Sequence, residues 1–209
     1  MKYTYFKCIK DGISITDKYR AGQGIQFMKQ KLVLKLVLLG DPGVGKTSLI
    51  SQFVHAKFRN SYQLTVGLDI SSKQIKLEDG RTVTLSINDI GGQARFAAIR
   101  HMFFKGAHLA MFVFDVTRAD TLRNIVDPWH KELMEFCSQP DSTRSAIQTI
   151  LVGNKTDLED YRMVEDDEGE ALARKIGAQG YISASAKENL QVDDAFKRLA
   201  QSFFDQIRS

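Results

Sequence analysis

Three short stretches of this chain hold residue types that perform nucleotide chemistry. Gly40–Ser48 reads GDPGVGKTS, Asp89–Gln93 reads DIGGQ, and Asn154–Asp157 reads NKTD. The first fits the pattern G-x-x-x-x-G-K-[ST] through Gly40, Gly45, Lys46 and Thr47. Glycines let such a loop turn tightly, so its backbone N–H groups face phosphate oxygens. A helix starting just after the loop adds its positive end. The pattern sends the Lys46 ammonium to the β- and γ-phosphates and the Thr47 hydroxyl to Mg²⁺. Ser48 stands where a dinucleotide fingerprint needs a third glycine, which argues against a NAD site. The third stretch chooses the base. A carboxylate at Asp157 accepts two hydrogen bonds from the N1–H and 2-amino groups of guanine. Adenine lacks that pair of donors and would leave a buried carboxylate unmatched. Lys155 can lay its aliphatic stem along the ring. Ser185-Ala186-Lys187 would close the other side of the base. Taken singly, NKTD is also a plain polar turn after a strand. The order of all three motifs, each at the end of an apolar run, points to GTP.

Such a pocket needs a scaffold that gathers residues over a hundred positions apart. Lys31–Leu39 is a β-type apolar run that flows into the glycine loop, and Lys46–Ala56 then turns to helical spacing with Leu49, Ile50, Phe53 and Val54 on one side. Ile70–Leu77 and Val83–Ile87 flank Asp79-Gly80, a strong hairpin signal. Leu109–Asp115 and Ile147–Gly153 are continuous apolar runs that suit strands buried on both faces. A shorter strand-like piece spans Gly180–Ala184. Ala171–Ile176 and Val192–Ile207 have helical period, and the stripe Val192, Ala195, Phe196, Leu199 and Phe203 reads as core packing. The alternation predicts an α/β fold: a mostly parallel, doubly wound sheet with flanking helices and a ligand at the carboxyl ends of the strands.

Composition agrees with one globular domain. The chain has 209 residues, 43% of them hydrophobic, enough for a single core. Its net charge of +4 is spread along the sequence and reads as a solvated surface, with no nucleic-acid partner expected. Cys8 and Cys137 are far apart and lack metal-ligand spacing, which suits a reducing, cytoplasmic compartment. No signal peptide is visible, and no apolar run approaches the ~20 residues of a membrane span. The division expected is residues 1–30 as an N-terminal extension of unknown role and 31–208 as the nucleotide domain. In the extension, Tyr3–Ile9 and Ile13–Thr16 either pair as a hairpin around Asp11-Gly12 or form a disordered basic leader, and Met28 is an alternative start.

Across about Lys31 to Arg208 the sequence resembles the Ras-superfamily small GTPases, most of all the Rab-type branch. The resemblance implies the P-loop small G-domain fold and a GTP-hydrolysing switch, with Mg²⁺ as cofactor. It implies that Asp41, Pro42, Gly43, Val44, Gly45, Lys46, Thr47 and Ser48 surround the phosphates. By position, Thr65 matches the switch I threonine that binds Mg²⁺ and the γ-phosphate, and Tyr62 matches the tyrosine that covers the phosphates. Phe58 matches an aromatic that stacks on guanine, although alone it reads equally as a loop anchor. Asp89 matches the switch II aspartate that holds Mg²⁺ through water. Gly92 matches the glycine whose N–H meets the γ-phosphate, and Gln93 the glutamine that orients the attacking water. Asn154, Lys155, Asp157, Ser185, Ala186 and Lys187 match the base pocket. Lys46, Thr65, Gly92 and Gln93 are thus the expected catalytic set, and Thr47, Thr65 and Asp89 the metal set.

Further expectations follow from that likeness. Effectors, exchange factors and GTPase-activating proteins are the implied partners. Large Gα-type relatives carry an arginine three residues before the switch I threonine, where this chain has Tyr62. Unaided turnover is therefore expected to be slow, about 10⁻⁴ to 10⁻³ s⁻¹, a magnitude carried over from that class. Pro42 lacks an N–H at the loop position nearest the γ-phosphate. Rab proteins carry aromatics where this chain has Ile70 and Asn88, so two members of the effector-binding triad are missing. The end, Ile207-Arg208-Ser209, has no cysteine for prenylation, so membrane contact is expected only through a partner. The rival function class is an interaction module that holds GTP with little hydrolysis or exchange; an ATP-using kinase or ATPase is disfavoured by Asp157.

Overall fold

The computed structural model describes residues 3–9, 12–21, 24–27, 31–58, 68–91, 97–137 and 147–208. Strands β1 (Tyr3–Ile9), β2 (Gly12–Ala21) and β3 (Gly24–Phe27) precede β4 (Lys31–Leu39), the central strand. Helix α1 (Lys46–His55) follows the glycine loop, then come β5 (Leu68–Lys76) and β6 (Thr82–Ile90). Helix α2 (Ala97–Phe104) leads to β7 (Leu109–Asp115). A helical run follows as α3 (Ala119–Asn124), a wide turn at Ile125–His130, and α4 (Lys131–Cys137). The chain closes with β8 (Gln148–Asn154), α5 (Asp166–Lys175), β9 (Tyr181–Ser183) and α6 (Val192–Arg208).

One nine-stranded sheet joins these strands. Strand β4 pairs in parallel with β6, from Leu32↔Val83 to Leu38↔Asp89, and with β7, from Leu36↔Leu109 to Leu39↔Phe112. Strands β8 and β9 extend the parallel order, and β5 runs antiparallel beside β6. The hairpin at Asp79-Gly80 forms as the sequence predicts. Gly80 has φ +83°, and the Asp79 carboxylate accepts the Arg81 N–H at 3.1 Å. In the N-terminal segment β1 and β2 pair from Tyr3↔Lys18 to Ile9↔Gly12, the hairpin of the two alternatives. Strand β2 also pairs with β4 at Ile13↔Val33 to Ile15↔Lys31. Since β6 holds one edge of β4, β2 and β7 share the other, at its start and its end.

The period of two along each strand sorts the core into two layers. Leu34, Leu36, Leu38, Met111, Val113, Ile150 and Val152 face α1 and α6. Val37, Leu39, Ala110, Phe112, Phe114 and Leu151 face the opposite helices. Phe53 of α1 stacks on Phe196 of α6 with ring centroids 3.9 Å apart. The α6 stripe is core, as its spacing indicates: Phe196 and Leu199 are fully buried.

Two differences from the sequence reading have physical causes. Helix α5 starts at Asp166 rather than near Ala171, because a capping box at Glu165 and Glu168 and an acidic first turn begin it among polar residues. The helices between 97 and 137 are not evident from apolar spacing. Their inner faces include Arg100 and Thr121, and Asp127 with extended backbone (φ −139°, ψ 117°) interrupts the run.

Candidate functional site

At the carboxyl end of β4 the chain must turn beside β7, and only glycine fits. A Cβ on Gly40 would lie 2.1 Å from the Val113 carbonyl oxygen. The loop then enters α1 through Gly43 (φ +77°) and Gly45 (φ +97°). Gly45 gives α1 no side-chain cap, and its first turn has no acidic residue. The positive helix end is therefore left to face an anion. Lys46 is 6% exposed. Its ammonium folds back over the loop and donates to the carbonyls of Gly40 (2.6 Å) and Asp41 (2.9 Å). Burial lowers its pKa to about 8, against the pull of Asp89 and Asp41, and the nearby Arg100 lowers it further.

One residue on, Thr47 donates its hydroxyl to the Asp89 carboxylate across the loop. Asp89 is 2% exposed and lies inside β6, one residue before its end, rather than beyond the strand. A hydroxyl and a carboxylate side by side are hard oxygen donors, the set that suits Mg²⁺. Among the described residues no group of three His, Cys, Asp or Glu could hold a metal. A cation here would thus complete its shell with phosphate oxygens and water, as Mg²⁺ does.

The third motif meets the first through one side chain. Asn154 ends β8 and is 1% exposed. Its Nδ2 donates to the Val44 carbonyl at 2.9 Å, and its Oδ1 accepts the Ala186 N–H at 3.1 Å. Phosphate loop, β8 and the Ser185–Lys187 turn are thereby stitched together. Asp157 accepts from the Ser185 hydroxyl at 2.6 Å, and the Lys187 ammonium stands 3.6 Å from its other oxygen. Ser185 in turn accepts the Glu188 N–H at 3.0 Å. Lys155 sits at φ +72° with its ammonium 2.6 Å from Asp115. Phe58 is half-buried against the core layer of α1 and α6. Tyr62, Thr65, Gly92 and Gln93 lie outside the described residues.

Four contributors escape sequence reasoning: Asp115, Arg118, Asn124 and Trp129. Asp115, at the end of β7 and 1% exposed, accepts from Lys155, Arg118 and Thr117. Arg118 also donates to the Pro42 carbonyl at 3.2 Å, so Asp115 links the base-side lysine to the phosphate loop. Asp41 accepts from the indole of Trp129 (2.8 Å) and the amide of Asn124 (2.7 Å). No spacing rule connects residues so far apart. Burial opposes ionisation of Asp115, but the hydrogen bonds from Lys155 and Thr117 outweigh it and hold its carboxyl below the usual range. Its stabilisation is therefore present above the unfolded carboxylate pKa of about 4 and fades as pH falls through the lower folded value. Asp115→Asn leaves two cations facing an amide. It should cost about 3 kcal/mol at neutral pH, the low end for a broken buried pair because both cations reach solvent. Thermal melts at pH 7 and pH 3 should show that gap narrowing in acid.

A glycine loop between a central strand and α1, met by the Asn154–Asp157 turn from β8, defines a P-loop nucleotide-binding α/β domain. The family model described as Ras family matches residues 35–205. The chain is 37% identical over 174 residues to Ras-related protein Rab-7a of Dictyostelium discoideum, covering 83% of this chain and 84% of that one. It is 38% identical over 180 residues to Ras-related protein Rab7 of Glycine max, covering 84% of each. To the Ypt/Rab-type GTPase avaA of Emericella nidulans it is 35% identical over 175 residues, 83% of each chain. The chain belongs to the Ras family and is a Rab-like small GTPase. Of the two positions expected to depart from Rab proteins, Ile70 is 60% exposed, whereas Asn88 is buried and donates to the Leu36 carbonyl at 3.3 Å. Among the described residues no helix is long and apolar enough to cross a membrane.

Proposed function

We propose that this pocket holds GTP and GDP in alternation, and that the protein is a molecular switch whose output is partner binding. The observation that supports this best is Asn154, one side chain bonded to both the phosphate loop and the base-side turn. In this reading Lys46 moves from the loop carbonyls to the β- and γ-phosphates, and the α1 end holds the α- and β-phosphates. Thr47, Thr65 and Asp89 would hold Mg²⁺, which would supply positive charge against the phosphates. Gly92 meets the γ-phosphate, Tyr62 shields it, and Gln93 aims water for in-line attack. Catalysis is positioning and charge stabilisation rather than covalent chemistry. Phe58, Lys155 and Lys187 flank the guanine, while Asp157 accepts from its edge and Ser185 and Ala186 brace that carboxylate and Asn154. The segments with Thr65 and Gly92 order around the γ-phosphate and relax on its loss, which presents or withdraws a surface to effectors, exchange factors and activating proteins. A cytoplasmic, trafficking-type role fits the Rab-like kinship, residues 1–30 being an N-terminal extension of unknown role whose β2 joins the sheet beside β4.

Extracting the nucleotide that copurifies with the protein tests the reading; GDP or GTP is expected, and ATP or NAD would overturn it. Gln93→Leu should slow single-turnover hydrolysis of prebound GTP roughly ten- to a hundredfold, the cost of a misplaced water, while GDP and GTP still bind. Unchanged turnover would remove Gln93 from the mechanism, whereas wild-type protein that binds GTP without measurable hydrolysis would favour the interaction-module alternative.

A further inference from the structure

A line of contacts runs from the phosphate loop to α2, the helix that follows DIGGQ. Lys46 donates to the Asp41 carbonyl at 2.9 Å, and the Asp41 carboxylate accepts the Trp129 indole N–H at 2.8 Å. The Arg100 guanidinium of α2 stands over the Trp129 ring, 4.6 Å from its centroid, and the Lys46 ammonium lies 5.9 Å from the same centroid. Glu132 of α4 clamps Arg100 with two hydrogen bonds, 2.8 and 2.5 Å. Arg100 and Trp129 are each 3% exposed. A buried guanidinium so close to the phosphate-binding lysine needs its carboxylate partner and its ring to stay charged there. Neither ring nor fork can be displaced without moving the other, because the fork geometry fixes the plane of the guanidinium.

We propose that Arg100 is a positioning residue for the phosphate site: stacked on Trp129 and clamped by Glu132, it makes the hold of Asp41 on Lys46 depend on where α2 lies. Helix α2 begins four residues after Gln93, so loss of the γ-phosphate at DIGGQ and loosening at Lys46 become one event. This rests on the nucleotide-pocket reading above and adds the element that couples its two halves.

The chain has a single tryptophan, Trp129, so its emission reports this junction alone. The full chain is loaded with Mg²⁺-GDP or with a non-hydrolysable GTP analogue. Emission should differ between the two forms. Arg100→Met, with nucleotide bound, should lose that difference and lower the GTP-over-GDP affinity ratio about tenfold. Trp129→Phe should lower the ratio similarly, and the double variant no further, because both act through one link. Identical emission from the two wild-type forms, or a ratio unchanged in both variants, would overturn the proposal; the emission result stands even where a variant fails to fold. Wild-type protein that binds neither nucleotide would instead defeat the pocket reading itself.

Discussion

Asp157→Asn should invert base preference from guanine to xanthine. The Asp157 side chain is 8% exposed and is fixed by the Ser185 hydroxyl at 2.6 Å, with Lys187 at 3.6 Å on the other oxygen. A carboxylate held this way presents acceptors to the two donors on guanine, N1–H and the 2-amino group. An asparagine can still accept from Ser185, so the turn should keep its shape. Its amide then offers a donor to a donor, and one buried polar contact becomes repulsive. Xanthine carries an oxygen where guanine has the amino group and so restores the match. Sites built around such hydrogen bonds discriminate by about 10⁴-fold or more, and GTP affinity should fall by that order while XTP affinity rises. Competition binding with the two triphosphates measures it, and a variant still selective for guanine would remove Asp157 from base reading.

The sheet was legible because burial on both faces leaves a continuous apolar run, which is what Leu109–Asp115 and Ile147–Gly153 are. The phosphate loop was legible because its glycines are a steric requirement: Gly40 has no room for a Cβ beside Val113. The stitching was not. Asn154 bonds a backbone carbonyl at Val44 and a backbone N–H at Ala186, groups every residue has, so no residue type marks them. Asp115 is a lone acid at a strand end, and its partner Lys155 arrives only because β7 and β8 pair in register at Asp115↔Asn154. Arg100 breaks the apolar spacing of α2 because it is a charged group buried on that helix's inner face, and the Trp129 indole N–H meets Asp41 only once the chain has folded. Local patterns reveal elements, and the fold alone reveals which elements share a charge.

Gly45→Ala and Gly80→Ala separate backbone strain from the tie between the two halves of the pocket. Both glycines have positive φ, +97° and +83°, a region costing a residue with a Cβ about 1–2 kcal/mol. Around Gly80 nothing lies within 4 Å of an added Cβ. Gly80→Ala should therefore lose only that strain, a Tm drop of roughly 2–8 °C for a domain this size, with nucleotide affinity intact. At Gly45 the added Cβ would stand 2.2 Å from Asn154 Nδ2. That amide cannot retreat without releasing Val44 or Ala186, and each stranded buried group costs about 1–3 kcal/mol. Gly45→Ala should lose about 3 kcal/mol or more in stability, and GDP and GTP affinity should fall together, about 10²-fold or more, the size of that energy read as binding. Calorimetric melts and nucleotide titrations on the two variants decide it. Equal affinity in both would mean that Asn154 joins the loops without shaping the pocket, whereas loss in Gly45→Ala alone would show that phosphate and base are gripped by one rigid unit.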